Sequence, residues 1–543
     1  MGTGIADRIF FGGDIITMDD ARPAAEAVAT KDAQIIAVGS KDEVMACKGP
    51  STEMIDLQGR TLVPGFLDGH SHFINAVRLG TWANVSSPPA GEVKTFADLI
   101  ATLKAYKAKL GLKPGDWMMG YGYDVTAMDE TRDLTRADLD PHFPDNPVML
   151  LHVSLHGAVL NTAGFKAVNF DLFAPTPAGG LTARIPGTNE AAGLVMEHSF
   201  LPIFMNMPAP TEADQLKAMK AAQELYASNG ITTAQDAPME TPTRPLYHKA
   251  ADQGLLYLDV VGYVNWIEFP SLVKSAGEPF KGPYKGHFRV GGVKIVGDGS
   301  PQGKTAFWTK PLLTPGPSGE KEWCGEPNVS LEETKNVVQL AYDNGIQVLM
   351  HCNGDATIDM LLEAHEAAGS PQGKGTVVVH SQFVRPDQLD KYVSYGLMPS
   401  FFTNHTFFWG DVHVENLGKE RAYFMSPTRS AKARGIRFSN HSDFAVTPLN
   451  PMFILWSSVN RLSRSGQIIG PDERISAHDG LRALTIDAAY QYGEEASKGS
   501  IEIGKLADLA ILDSNPTKVD AAKIKDIKVC ETIKDGKTVY KRA

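Results

Sequence analysis

The sequence predicts an α/β protein built on a (β/α)8 TIM-type barrel. Three features lead there: a middle region alternating strand-like and helix-like segments, a β-rich set at each chain end, and histidines gathered where the predicted strands stop. Alternation of this kind marks a parallel sheet covered by helices. The candidate strands are 61–67, 231–236, 258–264, 290–297, 346–351, 376–380, 396–401 and 436–440, with helical stretches such as 213–228 and 331–343 between most of them. A barrel of this type takes about 250 residues, and the chain has 543. The gap from about residue 73 to 230 is too long for one crossover, so an inserted subdomain is expected at about 75–229. The runs 8–19, 26–39, 507–513 and 528–540 are short, β-rich and split by turn residues, including Asp535-Gly536. They are expected to form a small β-sandwich from residues 1–60 and 490–543, around a barrel at 61–489.

Composition excludes several function classes. Apolar residues make up 43% and charged residues 21%, as in a globular protein with a large core. No stretch approaches the roughly 18 apolar residues that span a bilayer, and the first residues lack a basic-then-apolar leader. A cytoplasmic protein is the expectation. The net charge of −11 argues against nucleic acid or anionic membrane as partners. Cys47, Cys324, Cys352 and Cys530 lie far apart, which fits neither a disulfide framework nor a cysteine zinc site.

Catalytic groups of barrel enzymes gather at the carboxyl ends of the strands. Here the first strand ends in Asp68-Gly69-His70-Ser71-His72. Lys294 lies on the fourth, His351 ends the fifth, His380 ends the sixth, and the eighth runs into Ser442-Asp443. Residues i and i+2 of an extended chain face the same side, so His70 and His72 can meet one metal ion. An isolated HxH is a weak signal, and a lone buried histidine is more often a hydrogen-bonded core residue. Four histidines and an aspartate at the ends of four strands outweigh that alternative, because these side chains bind divalent transition metals.

The segments TLVPGFLDGHSH (61–72), GGVKIVGDGS (291–300), MHCNGDATID (350–359), VVHSQFV (378–384) and NHSDFAVTP (440–448) resemble the amidohydrolase superfamily. GYGYD (120–124), LHGAVLN (155–161), GITTAQDA (230–237) and KGSIEIGKLADLAIL (498–512) favour its N-substituted formamide deformylase-like branch. The resemblance runs in order from about residue 8 to 540. It departs at Val379, where the family often has a glutamate, and at His441, which stands where a smaller residue is usual and is expected to line the pocket.

The resemblance implies two divalent ions, zinc first with iron or manganese as alternatives. His70, His72 and Asp443 would hold one ion and His351 and His380 the other, with Lys294 bridging them after carboxylation. A one-metal site, and a buried ion pair of Lys294 with Asp298 or another carboxylate, are the alternatives. Two cations would acidify a shared water, and Asp443 is the candidate general base. His405 and His156 are candidates to help polarise the substrate carbonyl. Aromatic residues near predicted strand ends (Trp82, Tyr121, Tyr123, Phe407 and Trp409) point to an apolar or aromatic substrate. Closing the insert onto the barrel would use the same residues equally well. The expected activity is hydrolysis of a C–N bond in an amide or N-substituted formamide. The alternatives are a cyclic imide, carbamate or ester, ring deamination, or carbon–carbon or isomerase chemistry on the same centre. The expected partner is a small-molecule substrate, and the expected assembly a homodimer.

Overall fold

Strands buried on both faces need continuous apolar runs, and the centre of the molecule is made of such runs. A computed structural model describes residues 4–130, 132–207, 211–275, 277–317, 319–373 and 375–542. Its central sheet contains β1 (Phe66–Leu67), β2 (Ile231–Met239), β3 (Asp259–Asn265) and β4 (Phe288–Val296). It continues through β5 (Gln347–Cys352), β6 (Val377–His380), β7 (Met398–Phe401) and β8 (Ser439–Asn440). The eight strands pair in chain order, every pair parallel. β3, DVVGYVN, is buried except for its last residue. This is the TIM-barrel-type α/β fold.

Helices cover the sheet for reasons visible in their sequences. Leu331–Asp343 buries Thr334, Val337, Val338, Ala341 and Tyr342, one helical face, and the Ser330 side chain caps its start by accepting from Glu333 N. Pro386–Tyr395 begins with proline and ends at Gly396, whose φ of 66° is the left-handed conformation that suits glycine.

The sheet curls until its outer strands meet at their carboxyl ends. Ser442 donates to the Asp68 carboxylate through both N and Oγ, and Asp443 N donates to His70 O at 3.0 Å. Gly69 permits the approach, since a Cβ there would lie 2.7 Å from Ser439 Oγ and 3.0 Å from Ser400 Oγ. The two histidines after β1 are thereby placed beside the aspartate after β8.

The expected first strand, 61–67, is in fact two. Thr61–Pro64 leaves the barrel and pairs antiparallel with Leu509–Leu512 and parallel with Arg8–Ile16. Phe66–Leu67 alone joins the barrel. Proline has no N–H for a ladder, and Gly65 N turns to Asp508 O at 2.8 Å. Strands from both chain ends lie in one eight-stranded sheet. Phe10, Val28, Ile35, Leu62, Leu509 and Ile533, from six of its strands, share one apolar cluster, so this sheet wraps around its own core. A separate six-stranded sheet spans Ala83–Asn84 to Ala191–Glu197, in the long gap between β1 and β2. Among the described residues no helix is long and apolar enough to cross a membrane.

Candidate metal centre

The strand ends place six side chains in one mouth. His72 Nε2 and His70 Nε2 stand 3.3 and 3.4 Å from Asp443 Oδ1, and the ligand atoms of these three residues lie within 4.8 Å of one another. Lys294 Nζ is 3.0 Å from His70 Nε2. His351 Nδ1 is 3.1 Å from His380 Nε2. His380, His441 and Asp443 form a second group of three within the same 4.8 Å limit. His441, expected only to line the pocket, thus stands among the ligand candidates.

Gln235, which sequence reading passed over, and Asp298, which it considered only as a partner of Lys294, hold these groups in place. Gln235 Nε2 donates to Gly69 O and to Tyr492 Oη, each at 3.0 Å, which fixes its amide. Its Oε1, 2.7 Å from His70 Nδ1, must then accept the ring N–H and leave a lone pair on His70 Nε2. The Asp298 carboxylate does not pair with Lys294. It accepts N–H from Phe307, Asn353 and Gly354 and lies 3.3 Å from His351 Nε2, so it braces the histidine instead. In the sequence Gln235 and Asp298 stand near predicted strand ends with no spacing rule to single them out.

Burial and crowding by cationic groups push His70 and His380 well below the ordinary imidazole value, which makes both neutral. Burial brings Lys294 down to about 7. Burial alone would raise Asp443. The hydrogen bond and charge of His72, with the charges of His441 and Lys294, outweigh it and keep the carboxyl lowered. Apart from the His72 and His70 rings that face it at 3.3 and 3.4 Å, Asp443 Oδ1 is a buried oxygen with no other hydrogen-bond partner among the described residues. His380 and Asp443 also sit at φ 67° and 51°, left-handed conformations that non-glycine residues adopt at some cost. Neutral imidazoles, a buried carboxylate oxygen and backbone strain coincide at one place. Such a donor set suits a divalent cation.

A model of the amidohydrolase family matches residues 53–540. The chain belongs to the amidohydrolase family. This amidohydrolase is 27% identical to the N-substituted formamide deformylase of Arthrobacter pascens, over 99% of both chains. It is 26% identical to the YtcJ protein of Bacillus subtilis, over 98% of this chain and 99% of the other. An uncharacterized metal-dependent hydrolase from Pyrococcus horikoshii has the same fold, with a TM-score of 0.74 at 22% identity, covering 95% of this chain and 99% of that one. The amidohydrolase is accordingly a hydrolase acting on carbon–nitrogen bonds.

The insert supplies a facing wall to the amidohydrolase barrel. His156 Nδ1 lies 3.1 Å from Glu197 Oε2. Burial opposes the His156 cation, but Glu197, Asp443 and Asp298 prevail and raise it above the ordinary imidazole value. His405 is buried, stacked on His413 with Nδ1 3.0 Å from His413 Nε2, and pushed well down by burial and neighbouring imidazoles. Trp409 packs 4.5 Å from the His405 ring and donates Nε1–H to Asp124 of the insert at 3.3 Å. Trp82 and Tyr121 pack half-buried against an apolar cluster of the insert. Tyr123 is fully buried in the insert's other core, its hydroxyl accepting Leu134 N–H at 2.8 Å. Phe407 packs against Phe408, Phe453 and Trp456. For Tyr123 and Phe407 these contacts show packing partners for the aromatic side chain.

Proposed function

We propose that the chain is a metal-dependent hydrolase of amides, with N-substituted formamides bearing an apolar or aromatic group as the leading substrate class. The observation that carries this reading is the convergence of His70, His72 and the buried Asp443 Oδ1 at the barrel mouth. The full-length similarity to a formamide deformylase supports the substrate class. His70, His72 and Asp443 would hold one ion, and His351 and His380 a second, with zinc as the leading candidate and iron or manganese also suited to the ligands. When bound, such ions polarise a carbonyl and acidify a water.

The chain's own residues would do the rest. Asp443 would take the proton of the attacking water and pass it to the leaving nitrogen, leaving a carboxylate and an amine. His156, held as a cation by Glu197, would donate to the substrate oxygen from the insert's side. Burial disfavours the Lys294 ammonium and outweighs the Asp443 charge that favours it, while Asp298 is engaged elsewhere. Its neutral amine is the form that adds to carbon dioxide, giving a carbamate and releasing one proton.

Purified protein supplied with zinc, manganese or iron is expected to release formate and a free amine from N-formyl arylamines. Activity that survives exhaustive chelation, in protein free of metal, would sink the reading. Protein equilibrated with 13C-bicarbonate is expected to show a carbamate carbon resonance that Lys294→Ala lacks. Glu197→Gln is expected to lower kcat/KM by about 10- to 100-fold. In that variant the His156 cation is lost at lower pH, so the alkaline limb of the kcat/KM profile should move to lower pH. An unmoved limb would take His156 out of the mechanism.

A further inference from the structure

His441 is fully buried just beyond β8, with ring centroids 5.0 Å from His380 and 5.4 Å from His70. Its two nitrogens face different surroundings. Nδ1 lies 3.0 Å from Ser400 Oγ, and Ser400 Oγ lies 2.8 Å from Ser439 Oγ. Ser439 Oγ is 2.5 Å from Gln491 Oε1, and Gln491 Nε2 donates to Gly69 O at 2.6 Å. Nε2 of His441 faces His380 Nδ1 at 3.1 Å.

The Gly69 carbonyl only accepts, so the Gln491 amide turns its nitrogen there and its oxygen to Ser439. Ser439 Oγ faces both Gln491 Oε1 and Ser400 Oγ as a donor. Ser400 Oγ in turn pairs with His441 Nδ1, so that nitrogen is anchored away from the barrel mouth. Nε2 is the nitrogen left to face the group formed with His380 and Asp443. His70 is anchored in the same way, its Nδ1 held by Gln235. An imidazole whose outer N–H is anchored while its inner nitrogen stays bare is how proteins present histidine to a metal.

We propose that His441 is a metal ligand, its Nε2 forming with His380 and Asp443 a divalent-metal site that adjoins the one made by His70, His72 and Asp443. Asp443 belongs to both groups and stands between them. His380 then has two candidate partners, His441 on the Nδ1 side and His351 on the Nε2 side. His351 is likewise anchored, its Nε2 facing Gly299 O at 3.2 Å and the Asp298 carboxylate, with Nδ1 turned to His380. Ser400, Ser439 and Gln491 are positioning residues for His441. The donor set of two imidazoles and a carboxylate suits zinc or cobalt. The proposal rests on the metal-hydrolase reading above and adds a ligand to it.

The test is metal binding by the full-length protein, independent of turnover. Wild type, His441→Asn and Ser400→Ala are stripped by chelation and titrated with Co(II), with metal per chain and the visible Co(II) spectrum recorded. Wild type should take up two ions. His441→Asn should lose one of them, or bind it at least about 100-fold more weakly, with a changed spectrum. Ser400→Ala, the smaller change, should keep both ions while weakening one by about 10-fold, and it serves as the readout if His441→Asn does not fold. Wild-type stoichiometry, affinity and spectrum in the variants would overturn the assignment of His441. A wild-type protein that takes up no metal would overturn the metal centre itself.

Discussion

Asp443→Asn is expected to lower kcat/KM by on the order of 1,000-fold or more and to reduce bound metal, while leaving the fold intact. Asp443 contributes to both ligand groups and carries the only carboxylate in either. Asparagine keeps the size of the side chain and tolerates the φ of 51° at this position. It removes the negative charge and the ability to carry a proton between water and leaving group. Loss of a ligand and of the base falls on one transition state, so the effect should appear mainly in kcat. Steady-state kinetics, metal content and a thermal melt on the same preparations check it. A variant with near wild-type turnover would remove Asp443 from the chemistry.

The second large effect is on stability and lies at the opposite end of the barrel. Asp259 begins β3 and receives Lys498 Nζ at 2.6 Å, Lys534 Nζ at 3.0 Å and His287 Nδ1 at 2.8 Å. Both lysine side chains are almost fully buried, at 3% and 2% exposure. Asp259→Asn removes the carboxylate the two buried ammonium groups share, leaving Lys498 with Glu494 at 2.7 Å and Lys534 with Asp508 at 3.1 Å and Asp535 at 2.8 Å, and should cost about 1–3 kcal/mol. Urea unfolding measures it, and kcat/KM below the transition should stay within about twofold, since no residue of the metal centre is touched.

The pH dependence of that cluster has a definite sign. Burial would raise Asp259, but the two lysines dominate and hold its carboxyl far below the ordinary value, so its stabilisation is complete above about pH 4 and lost as pH falls further. Burial would lower Lys498 and Lys534, yet Asp259 and the other carboxylates raise both. Their stabilisation is complete below about pH 10 and lost as pH rises through the raised values. Wild type should therefore be most stable between these limits, and Asp259→Asn should lose most of the acid-side dependence.

The barrel was legible because buried parallel strands leave uninterrupted apolar runs, and each of the eight expected segments holds an observed barrel strand. Their edges were less so. Thr61–Pro64 and Phe66–Leu67 read as one strand, because the same apolar character serves two different sheets on either side of Gly65. At the centre, the candidate ligands could be read from their place at strand ends. Gln235, Asp298, Glu197 and the Ser400–Ser439–Gln491 chain could not, since each acts through a partner far away in sequence. Aromatic content alone did not separate the two roles at Tyr123 and Phe407, because a ring that seals a core has the same composition as one that greets a ligand.

The pairing of Thr61–Pro64 with Leu509–Leu512 bears on biosynthesis. His70 and His72 follow a strand whose neighbour is made more than four hundred residues later. During translation that edge stays bare until Leu509–Leu512 has been made, so the emerging chain must wait with one edge of Thr61–Pro64 uncovered close to His70. Products terminated before residue 509 would be left with this edge uncovered and prone to aggregation.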